Sequence, residues 1–133
     1  MLQVNEIIQT RQGTYKCVES LGTSKIGIET AVISKLSGRW RFPFCNGNLK
    51  ILKQLKTYNQ EGFSALKREC DILNLAHHKR LPKIIEEDVQ ENQVSFYIRE
   101  RIAGKTLSEL IELKTEVASS TIIDWLTQSC KLL

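Results

Sequence analysis

The chain has 133 residues, 41% hydrophobic and 26% charged, with 19 Lys and Arg against 15 Asp and Glu. Those proportions suit one small globular domain and argue against bulk disorder, and the length is short for two full domains. No run nears the roughly 20 apolar residues of a membrane helix, and the opening Met1-Leu-Gln-Val-Asn-Glu6 has neither the basic nor the apolar part of a signal peptide, so a cytoplasmic protein without a membrane partner is expected.

Residues 1–13 read as an N-terminal extension. Tyr15 to Leu21 is a strand, and Ile26 to Ser34 alternates apolar and polar positions as a second. The Leu21-Gly-Thr-Ser-Lys25 link joins them as a hairpin. Ser37 to Asn48 carries Gly38, Pro43 and Asn46-Gly-Asn48, the marks of a long loop. Leu49 to Leu55 follows as a third strand, although a short helix fits its spacing almost as well. Phe63, Leu66, Cys70 and Leu73 recur at helical spacing and define one apolar stripe, which fades at His77-His-Lys79 and stops before Leu81-Pro82. Lys83–Asp88 and Val94–Glu100 are two further strands, joined by a polar turn at Glu91-Asn92. Thr106 and Glu109 form a capping box that opens a short helix through Leu113. A last helix starts near Ser120 and carries Ile122, Ile123, Trp125, Leu126 and Leu132. This order predicts an α+β fold built on a five-stranded antiparallel sheet.

The net charge of +4 is unevenly placed. Residues 1–83 hold 14 basic and 6 acidic residues, net +8, while 84–133 hold 5 and 9, net −4. A basic half can attract nucleic acid or a polyphosphate such as a nucleotide. Arg39, Trp40, Arg41 and Phe42 interleave cations and aromatics as single-stranded nucleic-acid binders do, but four such residues in a loop more often make a solvated edge, so nucleic acid is set aside. Cys17, Cys45, Cys70 and Cys130 are scattered, with no Cys-x-x-Cys pair, and are expected as inert thiols with no metal site.

Several strings resemble the amino-terminal lobe of a eukaryotic-type protein serine/threonine kinase, a kind also found in bacteria. Tyr15-Lys-Cys-Val-Glu-Ser-Leu-Gly22 looks like the first kinase strand, with Gly22, Ser24 and Gly27 at the positions of Gly-x-Gly-x-x-Gly. Lys50-Ile-Leu-Lys53 fits the Val-Ala-Ile-Lys slot, with Lys50 as a rival to Lys53 for the phosphate-binding lysine. Glu69 sits at the border of the helical stripe, where it can face a strand lysine. The run Glu69-Cys-Asp-Ile-Leu-Asn-Leu-Ala-His77, then Leu81-Pro-Lys-Ile84, resembles the kinase regulatory helix and the approach to the next strand. Phe96-Tyr-Ile-Arg-Glu-Arg-Ile-Ala-Gly-Lys-Thr-Leu-Ser-Glu-Leu110 resembles strand, hinge and following helix, and Ile123-Asp-Trp-Leu126 the start of the long helix of the second lobe.

The resemblance spans about residues 14–133 and implies a lobe at 14–102, with one packed regulatory helix, followed at 103–133 by the hinge exit and two helices of an incomplete second lobe. It implies weak ATP binding by Gly22, Ser24, Gly27, Lys53 and Glu69, with the Glu100 carbonyl and Ile102 amide facing the adenine edge. Arg99 takes the gatekeeper position and is a rival to Lys53 for Glu69. Glu29 stands where the family's adenine roof has Val, and Ile51 where it has Ala. Magnesium is expected only if a second lobe comes from elsewhere. Asp71, Asp88 and Asp124 are the sole aspartates, and none stands in His-Arg-Asp or Asp-Phe-Gly, so no catalytic residue is expected in this chain. The alternative is a pseudokinase-type protein-interaction module without chemistry. Residues 120–133 are in either case a candidate surface for a protein partner or self-association.

Overall fold

The structure, a computed structural model, describes residues 1–36, 49–76 and 78–132. It divides into two compact units, Met1–Arg101 and Ile102–Leu133. The first holds strands β1 (Ile7–Thr10), β2 (Gly13–Thr23), β3 (Ile28–Leu36) and β4 (Leu49–Leu55), helix α1 (Gln60–Leu75), and strands β5 (Ile84–Asp88) and β6 (Ser95–Glu100). The strands form one antiparallel sheet in the order β1-β2-β3-β4-β6-β5. The α+β class and the antiparallel pairing agree with expectation, but the sheet has six strands among the described residues, not five.

The extra strand comes from the segment expected as an extension. Ile8 pairs with Tyr15 across a two-residue turn and packs against the core. Leu2 is 1% exposed within the same cluster. A four-residue strand with one inward apolar side chain is too short for its alternation to stand out in the sequence. The sheet curls until its edges meet: the Thr10 hydroxyl donates to the Glu86 carboxylate on β5 at 2.8 Å, and the Gln12 amide to the same carboxylate at 3.4 Å. The two edge strands are thereby tied together through one carboxylate, without a β1–β5 backbone ladder.

Because side chains alternate along each strand, the sheet has two separate cores. On one face Tyr15, Cys17, Ala31, Ile33, Leu52 and Ile98 are closed off by Leu2. On the other, Ile28, Leu55 and Tyr97 receive α1 through Phe63, Leu66 and Cys70. Each such aliphatic or aromatic side chain contributes roughly 1.5–3 kcal/mol on full burial, so the predicted helical stripe is what fixes α1 on the sheet.

The start of α1 is pinned from two directions. Asn59 is its N-cap: the side-chain oxygen accepts from the Gly62 amide at 2.7 Å, while its amide nitrogen donates to the Ile26 carbonyl at 3.0 Å. Gly62 lets the helix come this close, since a Cβ there would lie 2.7 Å from the Ile26 carbonyl oxygen and 2.8 Å from Leu55 Cδ1. β4 is a strand, which settles the helix alternative for Leu49–Leu55.

The second unit contains α2 (Leu107–Glu112) and α3 (Ser119–Leu132). The capping box is formed as the sequence predicts, with Thr106 Oγ1 accepting from the Glu109 amide and the Glu109 carboxylate accepting from the Thr106 amide, both at 3.1 Å. Neither helix has a buried residue. No helix among the described residues is long and apolar enough to cross a membrane. The Arg39–Phe42 cluster, Cys45, His77 and Leu133 lie outside the described residues.

Candidate functional site

Lys53 lies on β4 directly opposite Thr30 on β3 and Tyr97 on β6. Directly opposed residues share a sheet face, so all three point to the side that carries α1. Glu69, three residues past Leu66 and one before Cys70, stands at the edge of the buried stripe. Its carboxylate meets the Lys53 ammonium at 2.7 Å, with the two side chains 22% and 38% exposed for lysine and glutamate. Lys50 is an odd number of residues away. It lies on the opposite face, across from Ile33 and Glu100, so the lysine on the α1 side is Lys53.

The electrostatics are set by four groups. Burial pushes the Glu69 carboxyl up, but the Lys53 hydrogen bond, the nearby Tyr97 hydroxyl and the charges of Lys53 and Arg99 outweigh it, and its pKa lies below the usual glutamate value. The Tyr97 phenol is raised well above its usual value, by burial first and by the Glu69 carboxylate second. Tyr97 is fully buried, and its approach to Glu69 falls short of a formed hydrogen bond. Its oxygen is the one buried side-chain polar atom among the described residues without a partner. A buried unpaired hydroxyl costs free energy and marks a spot where a small movement or an added donor or acceptor is favoured. Beside the pair, Cys70 donates to the Glu87 carboxylate at 2.7 Å, and its thiol is pushed up to about 12 by burial and by that contact. It is therefore a protonated, inert thiol.

The glycine-bearing turn joins β2 to β3. The Ser24 carbonyl accepts from the Gly27 amide at 3.0 Å, and the Ser24 hydroxyl accepts from the Ile28 amide at 3.1 Å. Gly22 and Gly27 have φ of 108° and 86°, which only glycine adopts without strain. Ser24 therefore shapes the turn, where a middle glycine would leave it loose. The link from Asn59 to Ile26 fastens the tip to α1.

Three other expectations are resolved by register. Glu29 pairs with Gln54, so it lies on the face opposite Lys53. There it is 6% exposed and held by Gln54 at 2.9 Å and the Met1 amino group at 2.9 Å. Burial raises its pKa, but those contacts and Lys56 bring the net value down. The residue across from Ile51 on the α1 side is Val32, and Glu29 is not on that face. Ile51 is on the Lys53 side and is 6% exposed. Arg99 lies on that side too, opposite Ile51, but it does not displace Lys53 from Glu69: its guanidinium donates to the Glu100 carbonyl at 3.0 Å. That carbonyl is the expected adenine contact, and here it already has a donor. Ile102 belongs to the second unit and is 61% exposed.

Sequence reading missed Tyr97 and Asn59 as parts of the arrangement. Asn59 was discoverable, since an Asn just before a helical stripe with a Glu in the first turn is a capping signal. Tyr97 was not, because its role depends on being opposite Lys53. Among the described residues, no group of three or more His, Cys, Asp or Glu side chains is placed to hold a metal ion. No known protein-family model matches the chain, and no curated protein matches it.

Proposed function

We propose that this chain is a kinase-type amino-terminal lobe that binds ATP weakly, with Lys53 on the phosphates and Glu69 orienting it. The observation that carries the reading is the 2.7 Å ion pair between a mid-strand lysine and the inward border of the packed helix. A glycine-bearing turn in the adjoining hairpin supports it. The reading includes no chemistry by this chain alone, since neither a catalytic-loop Asp nor a magnesium-binding motif is present in the sequence. Gly22, Ser24 and Gly27 would lie over the phosphates, and the Glu100 carbonyl would face the base.

The second reading is a non-catalytic module of serine/threonine-kinase type that serves protein interaction. It is favoured by the Arg99 guanidinium on the Glu100 carbonyl and by the bulky, buried Ile51 beside Lys53. Calorimetric titration with ATP decides between them. Under the first reading binding is weak, because a single lobe covers only one face of a base, and Lys53→Met weakens it more than Lys50→Met. Equal losses, or no binding, favour the second.

A further inference from the structure

At the carboxy-terminal end of α1 the chain turns through His78–Pro82 into β5. Helix end and turn enclose a groove of about 470 Å³, within the size range of ligand clefts. The turn is ordered by bonds from the Leu81 amide to the His78 carbonyl at 3.0 Å and from the Arg80 amide to His78 Nδ1 at 3.1 Å. The groove is lined by the half-buried apolar residues Leu73, Ala76, Leu81, Pro82 and Ile84, and by the exposed cations Lys79 and Lys83.

The nearby carboxylates do not neutralise those cations. Glu87 accepts from Cys70 and Asn74, each at 2.7 Å. The Glu100 carboxylate accepts from the Lys83 backbone amide, not its ammonium. Among the described residues, no carboxylate lies within ion-pair distance of Lys79, Arg80 or Lys83. An apolar trough with unpaired positive charge along one side matches an acidic chain that carries bulky apolar side chains.

We propose that this groove docks an acidic peptide segment of a partner protein, with one or two apolar anchors inserted between α1 and the turn. The α1 carbonyl end repels anions, so the acidic residues lie along Lys79 and Lys83 and the anchors against Leu73 and Leu81. Nucleic acid fits less well, because the lining offers a single aromatic ring, His78, whose Nδ1 is held by the Arg80 amide, and no Phe, Tyr or Trp on which successive bases can stack.

The test uses the full chain and a fluorescein-labelled peptide with a central Leu-Phe pair flanked by glutamates, read by fluorescence anisotropy. Saturable binding is expected. It should weaken about tenfold or more in the double variant Lys79→Glu/Lys83→Glu, the loss expected for reversing two rim charges. Lys25→Glu, on the distant hairpin turn, should leave it unchanged. The milder Lys79→Gln/Lys83→Gln pair gives the same ordering should the reversal impair folding. A peptide with Ser-Ser in place of Leu-Phe should bind at least tenfold more weakly, as should a single-stranded oligonucleotide. Equal binding of either control, an unchanged double variant, or no saturable binding of the Leu-Phe peptide would each overturn the proposal.

Discussion

Gly62→Ala tests whether the glycine-bearing turn is held by the start of α1. Alanine in place of glycine normally stabilises a helix, by up to about 1 kcal/mol. Here the new Cβ would sit 2.7 Å from the Ile26 carbonyl oxygen, 2.8 Å from Leu55 Cδ1 and 3.0 Å from Asn59 Nδ2. None of these can yield easily: the carbonyl is backbone held by Asn59, and Leu55 is fully buried. Forcing an extra methyl into a packed contact costs about 1–3 kcal/mol. The steric cost exceeds the propensity gain, so a net destabilisation of about 1–2 kcal/mol is expected. Urea unfolding followed by circular dichroism measures it. Ser64→Ala, on the exposed side of the same helical turn, serves as the control and should be neutral or slightly stabilising. A Gly62→Ala chain at least as stable as the unsubstituted one would refute the close contact of α1 with the hairpin, and with it the tethered turn.

Three other outcomes follow from the same geometry. Labelled ATP with a generic basic substrate should show no phosphate transfer above a Lys53→Ala control, and Lys53-dependent transfer would contradict the absence of the catalytic aspartates. Because the fold lowers the Glu69 pKa, the ionised group adds stability that is complete above the unfolded value near 4.3 and fades as pH falls through the lower folded value. Glu69→Gln should therefore lose stability at neutral pH and converge with the unsubstituted chain in acid. The difference is small, since Glu69 is more than a third exposed and solvent screens the pair; a gap that widens in acid would reverse the assignment. A chain ending at Lys114 should scatter less light than the full chain, because Ile123 and Leu126 are 63% and 62% exposed on α3 and favour association. A monomeric full chain would show that this surface needs no cover.

What was legible in the sequence was whatever repeats with a period. The α1 stripe from Phe63 to Leu73, the alternation of Ile26–Ser34 and the Thr106–Glu109 cap are local patterns, and each corresponds to an observed element. β1 was not legible, because Ile7–Thr10 becomes a strand only through its partner β2 and the fill that Leu2 gives to the core. The face that Glu29 occupies was not legible for a different reason. Counting from Gly27 assumes a fixed path out of the turn, while the β3–β4 register opposes Glu29 to Gln54, and a shift of one residue moves a side chain to the other face. A hydrophobic pattern could not reveal it, since a carboxylate held by an amide and an amino group is stable on an inner face that composition alone would reserve for apolar side chains.

The choice between Lys53 and Arg99 as partner of Glu69 is likewise made by strand geometry. Both are cations on the α1 side of the sheet, and both lower the Glu69 pKa. Lys53 is opposite Tyr97, and the Tyr97 hydroxyl lies beside Glu69, so the lysine begins at the level of the carboxylate. Arg99 is two residues further along β6, about 6.6 Å away at the usual rise per residue. To reach Glu69 its guanidinium would have to give up the Glu100 carbonyl, for a carboxylate on which Lys53 already holds one oxygen. The observed arrangement instead gives each cation its own acceptor. The Arg99 guanidinium thus takes one acceptor position of the Glu100 carbonyl, and a ligand that donates to that carbonyl would share the oxygen with it.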